Sequence, residues 1–175
     1  MKKCIIFISI IFLILNSFSK DSLAVKKNFI GSDINFFEFG FLYIFSGNTD
    51  LKYIHTFHKR FDLNSTLGIT YPYLTGYVDE GFKAKDVILG KFTIVPSYVP
   101  LRRNNKTLQF GVGYATEFQK QFSLNGLTVQ LNFLKNSKKR NLTYGFNFYN
   151  DILFYHKESF PFYKVGMGFF IGGRF

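Results

Sequence analysis

Apolar residues recur at every second position along most of the chain, which is the spacing of a β-strand and not of a helix. The clearest example is the segment 108–118. One face carries Leu108, Phe110, Val112, Tyr114 and Phe118, and the other carries Gln109, Gly111, Gly113, Ala115 and Glu117. This pattern predicts a strand with one apolar and one polar face.

Eight segments alternate in this way, and together they predict an all-β chain. They are residues 35–45, 51–57, 61–71, 87–99, 108–118, 127–133, 142–148 and 162–175. Within the less regular segment 87–99, Pro96 predicts a bulge or a break, because proline cannot donate to the hydrogen-bond ladder. Eight strands of about ten residues, with their connections, fit the length of the chain. We therefore predict an eight-stranded antiparallel up-and-down barrel.

The composition of the polar faces indicates whether the apolar face of the barrel points outward or inward. A water-facing surface is rich in long charged side chains, whereas these faces consist mainly of Gly, Ala, Thr, Asn and Gln with isolated charges. Small polar residues suit the narrow interior of an eight-stranded barrel, which side chains fill. The sequence thus predicts a closed transmembrane barrel with a filled lumen and its apolar face toward lipid. A soluble secreted sandwich, or a lipocalin-like barrel that binds lipid, also alternates and is the other interpretation.

The N-terminal segment predicts export. Lys2 and Lys3 precede an apolar run of 12 residues, 4–15, and the triplet Ser22-Leu23-Ala24 follows. Such a run has the length of a signal-peptide core and is shorter than the roughly 20 residues that cross a bilayer as a helix. We expect a cleaved signal peptide at 1–24 and one outer-membrane barrel domain at 25–175.

The exported chain is strongly basic. The whole sequence has 22 Lys and Arg and 11 Asp and Glu, of which residues 1–24 hold three Lys and one Asp, so 19 basic and 10 acidic residues remain. This excess indicates an anionic partner, and export favours a membrane surface over nucleic acid. The one cysteine, Cys4, lies in the leader, and the three histidines have no metal-binding spacing. The sequence therefore predicts no metal and no other cofactor.

If both termini lie in the periplasm, alternate connections form periplasmic turns and the others form outer loops. The predicted turns are 58–60, 100–107 and 135–140, and the predicted outer loops include 46–49, 72–86 and 151–161. Nine basic residues fall in the turns: Lys59, Arg60, Arg102, Arg103, Lys106, Lys135, Lys138, Lys139 and Arg140. They predict contact with anionic phospholipid head groups of the inner leaflet, with ordinary solvated turns as the alternative.

Isolated charges on the polar faces predict ion pairs inside the barrel. The acids are Glu38, Asp62 and Glu117, and the bases are Lys91, Lys164 and Arg174. An unpaired buried charge costs several kcal/mol, so we expect the two sets to pair in the lumen. His55 is different, because the alternation of Tyr53 and Phe57 puts it on the lipid face, where an ionisable group is a functional candidate. The opposite register or a position at the interface explains His55 without a function.

The last eleven residues, 165–175, resemble the C-terminal signal of outer-membrane barrels. Val165, Met167, Phe169 and Ile171 alternate before the terminal Phe175, and Gly173 departs from the pattern. The chain as a whole resembles the small OmpA-like and OmpX-like barrels, and its composition resembles that of uncharacterised spirochaetal barrels. The resemblance implies an outer-membrane location, a monomer, and recognition of Phe169, Ile171 and Phe175 by the barrel-assembly machinery.

Some small barrels of this kind are lipid-modifying enzymes that use a serine, a histidine and an acid near the outer rim. The nearest cluster here is His156, Glu158 and Ser159, whose spacing differs from the deacylase pattern. No serine lies in a Gly-x-Ser-x-Gly elbow either, and polar residues of a solvated loop explain the cluster equally well. The sequence thus predicts a non-catalytic surface barrel that has a structural role or contacts a host or ligand through its loops. A lipid-acting enzyme, an acyl hydrolase or acyltransferase, is the alternative.

Overall fold

The computed structural model describes residues 27–40, 43–75, 88–103, 105–119, 122–137, 141–155 and 161–175, and these residues form eight strands. The strands are β1 Asn28–Gly40, β2 Tyr43–His58, β3 Phe61–Thr75, β4 Leu89–Arg103, β5 Lys106–Gln119, β6 Phe122–Asn136, β7 Leu142–Tyr155 and β8 Pro161–Arg174. Within these ranges, no helix is long and apolar enough to cross a membrane.

The strands form one closed antiparallel barrel in which each strand pairs with its neighbours in sequence. Closure comes from β1 and β8, where Phe29 lies opposite Arg174 and Phe39 lies opposite Val165. We call the end of the barrel at which β1 begins and β8 ends the terminus end. The connections β2–β3, β4–β5 and β6–β7 lie there, and the other four lie at the opposite end, which we call the loop end. The predicted up-and-down topology is therefore confirmed.

The outer wall is apolar on every strand. Exposed large hydrophobic residues include Phe39, Leu51, Leu67, Tyr98, Val112, Leu127, Phe148 and Met167. The lumen side is instead lined mainly by buried polar and charged residues, among them Asp33, Asn48, Lys52, Thr66, Gln109, Glu117, Asn132 and Lys164. A soluble barrel buries its apolar face, so this inverted arrangement requires a lipid surround. The chain is thus a transmembrane barrel, and the soluble alternative is wrong.

The first strand differs most from its prediction. It begins at Asn28, seven residues before the predicted start at 35, and it ends at Gly40. Its register against β2 and β8 shifts just after Asn35, where Phe36 is the extra residue of a bulge. Phe36 and Phe37 are both exposed as a result, and Glu38 remains inside. The bulge therefore changes which positions, odd or even, face the lumen.

Several predicted connections are in fact strand. Residues 46–49 belong to β2, and the strands take up parts of 72–86, 100–107 and 151–161. These predictions were too long because polar residues with inward-facing side chains have the composition of loops. Pro96, where a bulge or a break was predicted, causes no register shift, but the pairing of β4 with β5 is interrupted between Ile94 and Ser97. The register of β4 against β5 shifts between Tyr98 and Leu101.

Among the described residues, two apolar clusters lie in the lumen beside its polar groups. Near the terminus end, Phe29 and Phe170 meet edge to face with ring centroids 5.8 Å apart, and Ile54 and Leu134 complete the cluster. Near the loop end, Leu124 and Leu153 pack with Ala115, and Phe162 covers them. Side chains therefore fill both halves of the barrel, as expected for eight strands.

Candidate functional site: the ion-paired lumen and the basic rim

Glu38 is the centre of the largest charged cluster of the lumen. Its carboxylate accepts hydrogen bonds from Ser46 Oγ and Asn48 Nδ2, each at 2.6 Å, and from the hydroxyl of Tyr149. Lys164 Nζ lies 3.3 Å and Lys91 Nζ 3.4 Å from Glu38 Oε1. This fully buried carboxylate thus has donors from four other strands, which offset the cost of removing it from water.

Two further acids complete this cluster. Lys164 forms an ion pair with Glu117, and Glu117 also accepts a hydrogen bond from Thr70 Oγ1 at 3.3 Å. Asp151 Oδ2 lies 3.5 Å from Lys91 Nζ and 3.9 Å from Lys164 Nζ. Three acids therefore share two lysines, and an aromatic ring lies among them.

That ring belongs to Tyr149. Lys91 Nζ lies 4.1 Å and Lys164 Nζ 6.0 Å from its centroid, which is the range of cation–π attraction. Gly166 makes room for it, because a Cβ at this position would overlap the phenol ring. The ring and the two lysines together occupy the lumen between β4, β7 and β8.

A second and smaller pair lies between the charged cluster and the terminus end. Lys52 Nζ contacts Asp33 Oδ2 and Asn132 Oδ1, both at 3.0 Å, and lies 4.3 Å from the centroid of the Phe170 ring. Asn147 Nδ2 donates to Asp33 Oδ2 at 2.7 Å. The predicted lumen charges did not include Asp33, because it lies before the predicted start of the first strand. They did not include Lys52 either, although its alternation with apolar Leu51 and Tyr53 placed it on a polar face.

A third group lies at the terminus end. Arg102 Nη2 donates to both carboxylate oxygens of Asp62, at 2.7 and 2.6 Å, and Gln109 also donates to this carboxylate. Arg174 Nε donates to Thr143 Oγ1 at 3.2 Å. The sequence assigned Arg102 to the rim, whereas its side chain donates to Asp62 in the lumen. Arg174, which the sequence assigned to a lumen ion pair, is buried at the same end. Both bonds from Arg102 to Asp62 come from one guanidinium nitrogen, and hydrogen bonds between two charged groups are stronger than those between neutral groups.

The other candidate residues are distributed along the barrel. The side chains of Lys59, Arg60, Arg103, Lys106 and Lys135 are exposed at the terminus end. The remaining turn residues Lys138, Lys139 and Arg140, the candidate cluster His156, Glu158 and Ser159, and the leader 1–24 lie outside the described residues. Among the described residues, no group of three His, Cys, Asp or Glu is arranged to hold a metal ion.

His55 faces outward, as the alternation of its strand predicts, but it lies close to the terminus end. Its Nδ1 lies 2.8 Å from Asn28 Oδ1, and its ring stacks on Phe57 with centroids 6.2 Å apart. Tyr53 donates to the same Asn28 oxygen at 3.0 Å. These contacts give His55 a structural role in holding the start of β1 against β2.

The residues of the predicted assembly signal lie along the outer face of β8. Phe169 meets Phe146 of β7 edge to face, with ring centroids 5.6 Å apart. Ile171 and Phe175 are exposed. All three side chains are therefore on the lipid side of the strand that closes the barrel against β1.

Comparison with known proteins supports the same fold. No protein-family model and no curated protein sequence matches the chain. The outer membrane protein OprG from Pseudomonas aeruginosa is similar in structure, with a TM-score of 0.51 and 12% identity over 84% of this chain and 93% of OprG. The attachment invasion locus protein Ail of Yersinia pestis gives a TM-score of 0.48 and 15% identity over 85% of this chain and 97% of Ail. At 12% identity the likeness to OprG is one of fold, and the chain has the fold of a small bacterial outer-membrane β-barrel of eight antiparallel strands.

Proposed function

We propose that the chain is a non-catalytic surface protein of the bacterial outer membrane, in which a rigid barrel presents its loop end to the exterior. The observation that supports this proposal is the filled, ion-paired lumen within an apolar outer wall. A lumen of eight strands that side chains occupy provides no wide path for solutes. We therefore expect contact with soluble molecules at the two ends of the barrel.

The loop end is the better candidate for contact with a host or ligand. The longest connection of the chain, residues 76–88, leaves β3 and returns to β4 there, and the connection 156–160 joins β7 to β8 at the same end. Within the longest connection, segment 76–87 combines Tyr77 and Phe82 with three acids and two lysines. Such segments on a rigid scaffold are the usual place for recognition. We also propose that the barrel acts as a monomer, and that the outer face of β8 is read by the assembly machinery.

Single cysteines test this orientation, because a chain cleaved after Ala24 contains no other cysteine. Lys83→Cys, in segment 76–87, is expected to react with a membrane-impermeant maleimide on intact cells. Lys59→Cys, at the terminus end, is expected to react only after the outer membrane is permeabilised. Labelling of Lys59→Cys but not of Lys83→Cys on intact cells would reverse the orientation and refute the proposal.

A further inference from the structure

Among the described residues, acidic side chains occur only inside the barrel, whereas basic side chains occur both inside and outside. All six acids in the described ranges are buried in the lumen: Asp33, Glu38, Asp50, Asp62, Glu117 and Asp151. Every exposed Lys or Arg side chain in those ranges lies at the terminus end. The basic residues of this rim therefore have no acidic neighbours on the described outer surface.

Strand register brings three of these basic residues into one row. Arg103 of β4 lies opposite Lys106 of β5, and Lys106 lies opposite Lys135 of β6. Residues paired in this way share a face of the sheet, and adjacent strands are about 4.8 Å apart. Three cations thus stand side by side on the outer face.

The backbone holds this row in place. A two-residue turn joins Arg103 to Lys106, and Asn105 in it has a φ of 64°, the left-handed conformation that such hairpin turns require. Asn136 N donates to Asn105 O at 2.8 Å and so ties the turn to β6. The three cations are therefore set by the fold rather than by flexible chain.

Like charges placed directly opposite each other destabilise a sheet. No acid in the described ranges forms an ion pair with Arg103, Lys106 or Lys135, so a neutralising charge has to come from another molecule. The neighbouring strand β7 provides Tyr144, opposite Lys135, with its ring centroid 5.8 Å from Lys135 Nζ. The row therefore has excess positive charge with an aromatic ring at one end.

The position of the row along the barrel axis indicates that a lipid head group supplies the neutralising negative charge. Leu101 and Phe133 are exposed apolar residues two positions before Arg103 and Lys135 on the same strands. Two residues span about 7 Å of strand, so the cations lie just beyond the apolar band, at the level of lipid head groups. We propose that Arg103, Lys106 and Lys135 form a binding site for the phosphate of an anionic phospholipid in the leaflet at the terminus end. The guanidinium group can bind two phosphate oxygens, and the two ammonium groups add point charges.

Two matched double variants test this site. Arg103→Gln with Lys106→Gln removes one arginine and one lysine from the row, and Lys59→Gln with Arg60→Gln removes the same two residue types from the β2–β3 turn. Each refolded barrel is placed in phosphatidylcholine vesicles that contain trace spin-labelled phosphatidylglycerol or spin-labelled phosphatidylcholine. Electron paramagnetic resonance then measures the preference of the barrel surface for the anionic label.

We expect the unmodified barrel and the Lys59/Arg60 variant to prefer the anionic label about fivefold, and the Arg103/Lys106 variant to lose that preference. If both variants lost the preference for the anionic label equally, the attraction would come from the overall positive charge of the terminus end and not from one site. That result would overturn the proposal. An undiminished preference in the Arg103/Lys106 variant would overturn it as well. An unheated gel, on which a folded barrel migrates differently from the unfolded chain, checks that each variant is folded.

Stability gives an independent readout of the same site. Lys106→Gln removes the middle charge of the row, so it is expected to leave the barrel at least as stable as the parent in zwitterionic lipid. In vesicles that contain phosphatidylglycerol, the same substitution is expected to lower the urea midpoint relative to the parent. If Lys106→Gln changed the urea midpoint equally in the two lipids, the phosphate site would be contradicted. This outcome does not depend on what the loop end binds.

Discussion

Lys164→Met is expected to lower the free energy of unfolding by about 3–5 kcal/mol, because removing one partner of a buried ion pair leaves the other charge uncompensated. Among the described residues, Glu117 would keep only its hydrogen bond from Thr70, whereas Glu38 would keep Lys91. Urea titration of the barrel in phospholipid vesicles measures the loss.

The double variant Lys164→Met with Glu117→Gln is the matched control for this experiment. Removing the second charge of the pair should recover much of the lost stability, because the coupled residues do not act additively. A Lys164→Met barrel as stable as the parent would show that Lys164 contributes little to the lumen. A double variant less stable than Lys164→Met alone would contradict the pairing with Glu117.

Val112→Arg is expected to destabilise the barrel by about 2–4 kcal/mol, the cost of arginine at the lipid-facing midplane of such barrels. Val112 lies halfway along β5 and is exposed on the outer wall. Leu101 has a similar exposure, 49% against 46%, but lies near the terminus end. Leu101→Arg should therefore cost only about 0–1 kcal/mol, as found near the membrane interface.

Urea unfolding of both variants in vesicles checks this difference in depth. The pair is informative because the two substitutions add the same side chain at equally exposed apolar positions. Equal and small effects are what a water-exposed outer wall would give. That result would contradict an outer wall that faces lipid.

The eight strands could be predicted from the sequence because each has two chemically distinct faces. A period of two depends only on local backbone geometry, so it is visible without knowledge of the fold. Strand ends were predicted poorly where both faces carry small polar residues, as in 46–49. There the neighbours of the inward-facing Asn48 are Gly47 and Thr49, so no apolar residue marks the alternation.

The partners of buried charges were less predictable than the strands. Alternation identified Glu38, Glu117, Lys91 and Lys164 as lumen residues, but it does not say which of them meet across the barrel. Arg102 turns inward because the register of β4 shifts after Tyr98, and nothing in the local pattern fixes that shift. The row of Arg103, Lys106 and Lys135 likewise depends on the pairing of three strands, which only the fold provides.

Refolding with and without a bilayer tests most directly the central claim that the apolar wall faces lipid. Far-ultraviolet circular dichroism of residues 25–175 should show an ordered antiparallel β spectrum in phospholipid vesicles. In plain buffer without lipid or detergent, the chain should remain unfolded or aggregate. The same cooperative β fold in plain buffer, or a helix-dominated spectrum in vesicles, would contradict the transmembrane barrel.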